Sequence, residues 1–279
     1  MCIVGANGQV GLALRAQYPE ARWAAKDELD ITDKQSVEAY DWAGVEVLLN
    51  AAAYTNVDGA EAIEGRPLAW AVNADAAANL VSVAAHYNMT LVHLSTDYVF
   101  DGTEKSHTED EAFAPLSVYG ASKAAGDIAV SLAPKFYILR TSWVIGAGKN
   151  FVRSIMGLAE KNISPKVVAD QFGRPTFTTE LARAVDHLLQ NNAAYGTYNV
   201  SNSGDVVNWA DIARQVYSDL RRDDLTVGDT TAEEYFAGKL SAPRPTHSGL
   251  DLSKITKIGF EPHDWRDDLK DYIKKELSQ

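Results

Sequence analysis

Tyr119 and Lys123 have the residue types and the spacing that most directly suggest chemistry. They stand four apart in a stretch with helical patterning over 117–132, so both side chains fall on one helix face. A phenol of pKa ~10 is a poor proton donor near neutrality unless its anion is stabilised. A neighbouring ammonium supplies that, and lowering the phenol by ~2–3 units takes about 3–4 kcal/mol of differential interaction. A third group is Thr96, at the end of the apolar run Thr90-Leu-Val-His-Leu94, which reads as a buried strand. A hydroxyl at that strand mouth can polarise a carbonyl oxygen that Tyr119 protonates. Ser95 faces the other side of the strand and reads as structural. A bare Y-x-x-x-K also occurs as a surface pair, so the assignment depends on the elements that must position it.

The first such element is Gly5-Ala-Asn-Gly8-Gln-Val-Gly11, between an apolar run at 2–4 and a helical stretch from Gln9. Glycines at a strand–helix junction permit a tight turn, close approach of backbone to a pyrophosphate, and close helix–strand contact. The helix N-terminus adds free N–H donors and partial positive charge. Glycines alone also suit a plain turn; their place in the first βαβ unit points to dinucleotide binding. The second strand ends in Ala24-Ala25-Lys26, where an acid would bind a ribose 2′-hydroxyl. A neutral and basic site favours a 2′-phosphate, so NADPH is expected ahead of NADH, although Asp27 and Glu28 follow at once. Asp30 and Ile31 are placed to flank the adenine.

Further strands are expected at 22–25, 45–50, 90–95 and 136–141, with helices starting near Gln9, Asp33, Pro67 and Ser117. This alternation predicts an α/β fold, a Rossmann-like doubly wound parallel sheet, with ligands outside the carboxyl ends of its strands. After Trp143 the pattern changes to a helix at 150–161, a strand at 166–169, a helix at 178–190, a strand at 196–200, and helices at 208–222 and 264–277. The expected organisation is a dinucleotide-binding domain over 1–145, with sheet strands returning from about 163–200. A smaller α/β substrate-binding domain is expected from 146–162 and 201–279.

Bulk properties narrow the function classes. The chain has 279 residues, 23% of them charged, and a net charge of −12, which disfavours a nucleic-acid surface. No apolar run reaches the ~18 residues of a membrane span and no leader precedes Gly5, so a cytoplasmic protein with no membrane partner is expected. The sequons at Asn88 and Asn162 carry no weight without secretion. The single cysteine, Cys2, excludes an internal disulfide, and the 6 histidines are scattered without metal-ligand spacing, so no catalytic metal is expected. Gly146-Ala-Gly-Lys149-Asn150 lacks the spacing and the Ser or Thr of a phosphate loop. Only four residues precede Gly5, which makes the first strand short; the chain reads as excised from a longer protein.

The G-x-x-G-x-x-G spacing resembles the extended short-chain dehydrogenase/reductase group. Narrower motifs are Asn50-Ala-Ala-Ala-Tyr-Thr-Asn-Val-Asp58, Ser95-Thr-Asp-Tyr-Val-Phe-Asp-Gly102, Tyr119-Gly-Ala-Ser-Lys123 and Arg140-Thr-Ser-Trp-Val144. Asp170-Gln-Phe-Gly-Arg-Pro-Thr176 and Arg244-Pro-Thr-His-Ser-Gly-Leu-Asp251 complete the set. In this order, over essentially the whole chain, they resemble the dTDP-4-dehydrorhamnose reductases.

The resemblance implies reduction of the C4 ketone of a dTDP-linked 4-keto-6-deoxy-L-sugar, dTDP-4-dehydro-L-rhamnose, to dTDP-L-rhamnose. Hydride comes from NADPH, with NADH a weaker alternative, and the proton from Tyr119. Lys123 then holds the nicotinamide ribose and favours the tyrosinate, while Thr96 binds the carbonyl oxygen. Gly5, Gly8, Gln9, Val10, Gly11, Asp30, Ile31, Ala51, Ala52, Ala53, Tyr54 and Thr55 fall at cofactor positions, and Asp97 and Trp143 at positions facing the sugar; the plain alternatives are a close-packed strand end for Ala51–Ala53, a local turn cap for Asp97 and a core place for Trp143. Arg244, between two prolines, is a candidate diphosphate clamp, with a surface salt bridge as its plain alternative; Lys149 and Arg174 are weaker candidates. Asn73 and Asn79 read as structural. The resemblance also leaves room for a homodimer, a structural Mg²⁺ at a subunit contact, and fusion to or association with a 3,5-epimerase. Two rival readings are a nucleotide-sugar dehydratase or epimerase and a non-catalytic NADP-binding regulatory subunit. Tyr98 stands where the dehydratase branch has Glu, and the intact Thr96, Tyr119 and Lys123 disfavour the second.

Overall fold

The computed structural model describes residues 1–278. Strand β1 (Cys2–Val4) leads into helix α1 (Gln9–Gln17), and β2 (Arg22–Ala24), α2 (Lys34–Ala39) and β3 (Val47–Asn50) follow. Helix α3 (Gly65–Trp70) passes through a π-turn, Ala71–Asp75, into α4 (Ala76–His86); β4 (Thr90–Thr96), α5 (Val118–Val130) and β5 (Phe136–Thr141) complete the first half. A six-stranded sheet forms in the order Gly196–Asn199, β5, β4, β3, β1, β2. Every pairing in it is parallel. The order reverses between β1 and β3, which opens a crevice at their carboxyl ends.

Alternation along each strand divides the core between the two faces of the sheet. Cys2, Val4, Leu48 and Leu91 pack with Leu80 and Val83 of α4. Ile3, Leu49, Val92 and Leu139 pack with Leu181, Val185 and Leu188 of α7 (Thr178–Gln190). Each fully buried leucine contributes about 1.5–3 kcal/mol. The continuous helix Gly65–His86 has the length and hydropathy of a membrane span. Its Ala76, Leu80 and Val83 are nevertheless packed on the sheet, as in the core helix of a globular protein.

A separate apolar cluster lies under α6 (Phe151–Glu160), α8 (Trp209–Asp219) and α11 (Trp265–Leu277), including Val152, Ile155, Val216 and Leu269. It corrects one expectation. The strand Lys166–Val168 does not return to the large sheet but pairs in parallel with Gly228–Thr230. Val167 is drawn into this second cluster instead. Of the later segments among the described residues, only Gly196–Asn199 joins the large sheet.

Candidate active site

Two local features bring Tyr119 to the mouth of β4. Ser117 caps α5, its side chain accepting the Gly120 N–H at 3.0 Å, which fixes the helical phase of Tyr119 and Lys123. Gly120 then allows close approach: a Cβ there would lie 2.2 Å from the Tyr98 carbonyl oxygen. A short helical turn, Asp97–Val99, begins at Thr96, whose hydroxyl accepts the Tyr98 N–H at 3.2 Å and donates to Asp97 Oδ1 at 3.1 Å.

A cleft of about 790 Å³ runs over these strand ends, and Gly8, Gln9, Thr96, Asp97, Tyr119 and Lys123 all line it. It shares Asn7, Gly8, Ala51 and Ala53 with a hollow of about 300 Å³ over β2, lined also by Gly5, Ala52, Lys26, Asp30 and Ile31. Val10, Thr55 and Trp143 line the cleft as well. Two expected cofactor positions stand outside both linings. Gly11 is packed inside α1 against the Gly5 carbonyl. Tyr54 is tied by its backbone to Asn73, whose Oδ1 accepts the Tyr54 N–H at 2.9 Å. Asn73 and Asn79 are structural, Asn79 donating to the Ile31 carbonyl at 3.0 Å.

The hollow fits a dinucleotide. Gly5 has a φ of +73°, and a Cβ there would sit 2.3 Å from the Ala52 nitrogen, so the loop lies flush with the end of β3. No side chain caps α1 at Gly8, which leaves its N-terminal N–H groups free for a pyrophosphate. Lys26 faces the hollow, whereas Glu28 is turned back to accept the Ala25 N–H at 3.0 Å. The Asp30 carboxylate lies below the usual range because it accepts bonds from the Thr32 hydroxyl and N–H, at 2.6 and 3.0 Å.

Burial dominates the electrostatics of the tyrosine–lysine pair. Burial pushes the Tyr119 phenol above its ordinary value; a hydrogen bond with Thr96 opposes this, and the carboxylates of Asp97 and Asp127 add to it. Lys123 is directed at the end of β4. Its Nζ is 2.6 Å from the Leu94 carbonyl oxygen and 3.2 Å from His93 Nε2, and burial lowers it to about 8 against the pull of Asp127. Behind it, His93 Nδ1 is 2.9 Å from Asn50 Nδ2, and Asp127 pairs with Arg140 at 3.0 Å. Burial and Lys123 hold His93 well below its ordinary value. Asp97 is only 2% exposed, with Oδ2 unpartnered; burial raises it to about 6, opposed by bonds from Ser248 and Thr96.

Beside the cleft lies an aromatic chamber of about 420 Å³, lined by Phe151, Trp209, Tyr235, Phe236 and Arg244. Tyr98, Phe151 and Trp209 line both spaces and form the partition, Tyr98 meeting Tyr119 edge-on at 5.5 Å. Arg244 pairs with Asp58 at 2.7 Å and lies over the Phe236 ring at 4.3 Å. The aromatic residues of the chamber were missed in the sequence, where no spacing links them. Lys149 lines the cleft, while Arg174 is half-buried and donates to the Leu250 carbonyl oxygen. Glu180, His263 and Asp268 come within metal-ligating range of one another, away from the cleft. Glu180 already accepts from the His263 N–H and pairs with Arg183.

A parallel sheet with this glycine loop and a buried Thr–Tyr–Lys constellation at its carboxyl edge defines an NAD(P)H-dependent oxidoreductase of the extended short-chain dehydrogenase/reductase type. The family model described as the RmlD substrate binding domain matches residues 1–278. A dTDP-4-dehydrorhamnose reductase of Aggregatibacter actinomycetemcomitans is 36% identical, with 97% of each chain covered. A dTDP-4-keto-6-deoxy-D-glucose reductase of Streptomyces niveus is 35% identical over 93% of this chain and 91% of its own. The crystal structure of dTDP-4-dehydrorhamnose reductase from Bacillus anthracis in complex with NADP superimposes with a TM-score of 0.89 at 34% identity, covering 98% of both chains. The chain belongs to the dTDP-4-dehydrorhamnose reductase family.

Proposed function

We propose that this protein reduces the C4 ketone of dTDP-4-dehydro-L-rhamnose to dTDP-L-rhamnose with NADPH. The observation that carries the reading is the convergence of the Tyr119 and Thr96 side chains in the same cleft as the glycine loop. When bound, the reduced nicotinamide supplies hydride to C4. Tyr119 gives its proton to the carbonyl oxygen; the raised phenol is in the protonated form that a reduction needs. Thr96 turns its hydroxyl from Asp97 to that oxygen. Lys123 holds the nicotinamide ribose, and Asp97 and Trp143 face the sugar. Gly5, Gly8, Gln9, Val10, Ala51, Ala53 and Thr55 line the cofactor's path, with Lys26 toward a 2′-phosphate.

The aromatic chamber takes the nucleobase, since stacking on rings holds a base without reading its edges. Arg244, already charged and next to Phe236, clamps the diphosphate. In this reading residues 1–145 bind the dinucleotide, 146–162 and 201–279 bind the nucleotide sugar, and the protein works in the cytoplasm. A second reading has a relative behind it: the Streptomyces niveus reductase is named for a D-configured 4-keto sugar. NADPH oxidation followed with the L- and D-configured 4-keto-6-deoxy sugars, each as dTDP and UDP conjugates, tests both. Turnover fastest with the dTDP-L-sugar is expected; faster turnover of the D-sugar moves the assignment to the second reading, and none with any of the four refutes the reductase.

A further inference from the structure

Trp143 has a φ of +46°, a left-handed backbone conformation that is an outlier for a bulky aromatic residue and costs on the order of 1–2 kcal/mol. Such a conformation persists only where surrounding structure over-determines it. Here the surroundings come largely from the Asp170-Gln-Phe-Gly-Arg-Pro-Thr176 segment, which the proposed chemistry does not use. The Thr176 N–H donates to the Trp143 carbonyl oxygen at 3.2 Å. One residue earlier in the chain, the Ser142 hydroxyl donates to the Arg174 carbonyl oxygen at 3.0 Å. Gly173 lies against the indole: a Cβ there would be 2.8 Å from Trp143 Cε2 and 2.9 Å from Cζ2, so no other residue leaves room for the ring.

The indole has a second contact. Trp209 stacks on it with ring centroids 3.8 Å apart and planes at 17°. Trp209 is itself fixed, as the first residue of α8 behind an Asn208–Asp211 capping box. Val207 and Asn208, just before it, pair with Gly173 and Phe172. The same short ladder therefore places both groups that touch the indole.

We propose that Gly173 and Trp209 form a cradle that fixes the plane of Trp143, making Trp209 a positioning residue that sets how the substrate's sugar ring presents its ketone. The inference rests on the reading of Trp143 as the wall of the sugar pocket. It gives the glycine of the 170–176 segment a physical purpose and couples the sugar site to α8, which also bounds the aromatic chamber. An error of about 1 Å in the position of a reacting group can lower a rate ~100-fold. Loss of the cradle therefore acts on turnover of the sugar nucleotide and leaves dinucleotide binding intact.

The test uses Trp209→Ala, Trp209→Phe and Gly173→Ala in the full chain. Two stacked indoles produce an exciton couplet in circular dichroism, which reads the geometry without turnover. Trp209→Ala and Gly173→Ala are expected to abolish the couplet, lower kcat about 10- to 100-fold with a raised sugar-nucleotide KM, and leave NADPH affinity unchanged. Trp209→Phe keeps a stacking ring and is expected to recover most of kcat. Unchanged sugar kinetics after loss of the couplet overturns the proposal; so does a fall in NADPH affinity parallel to that in kcat, which marks a general structural defect. If the wild type reduces no 4-keto sugar, the functional reading fails separately, and a couplet that survives in Gly173→Ala overturns the cradle by itself.

Discussion

The end of β4 and the aromatic chamber beside it are built in opposite ways. At the strand end, Thr96 and Asp97 are neighbours in sequence, and Tyr119 and Lys123 lie on a single helix turn; all four are at least nine-tenths buried. The chamber gathers Phe151, Trp209, Phe236 and Arg244 from separate segments, and its Arg244–Asp58 pair is partly exposed. Burial makes the first region an electrostatic device, since desolvation moves Tyr119, Lys123 and Asp97 away from their ordinary values. The second is a surface of rings with the Arg244 guanidinium beside them, which in the proposed function holds the nucleotide. In the proposed function chemistry and recognition are thus separated between two adjoining spaces, with Tyr98, Phe151 and Trp209 as their partition.

Substitutions on the two sides should therefore differ in kind. The largest effect belongs to Tyr119→Phe, which removes the proposed acid: kcat is expected to fall by ~10²–10⁴ with NADPH affinity retained. Turnover equal to wild type would erase the distinction between the regions.

Next comes Asp97→Asn, read as stability against pH. The folded-state value of about 6 lies above the ordinary carboxyl value of 3.8, so the folded protein holds the proton more tightly than the unfolded chain. Ionising Asp97 then costs stability: nothing below the unfolded value, increasingly across that window, and in full above it. The amide is expected to stabilise the protein at about pH 8 by on the order of 2–3 kcal/mol and not at about pH 4. Thermal melts that shift equally at both pH values count against a strained carboxyl.

In the chamber, Phe236→Ala removes a stacking ring; the expectation is a sugar-nucleotide KM raised about 10-fold with kcat little changed, the pattern of lost uniform binding. Steady-state kinetics showing a kcat loss instead would place this ring with the chemistry. The smallest effect is at Lys26, exposed at the hollow's rim. Lys26→Ala is expected to lower the kcat/KM ratio of NADPH to NADH by ~3-fold, and less at high salt.

The strand-end site was legible in the sequence because its parts are local. A glycine loop at a strand–helix junction, a hydroxyl at a strand end and a tyrosine one helical turn before a lysine each leave a short-range signature. The large sheet was legible for the same reason, since buried parallel strands are apolar runs between amphipathic helices. Local signals failed where a third dimension intervened. Lys166–Val168 has the composition of a sheet strand, yet its apolar residues had a second core to enter. The spacing of Tyr119 and Lys123 put both on one helix face, but that the lysine also reaches Leu94 and His93 depends on the packing of α5 against β4.

The sequence by itself determined the fold class and the glycine loop at the first strand–helix junction, because backbone periodicity and turn chemistry are properties of neighbouring residues. Tertiary structure alone decided which aromatic rings meet in the chamber, which proton each buried group keeps, and why Gly173 must be a glycine. Those depend on desolvation and contact between segments far apart in the chain, and such distances have no image in residue order.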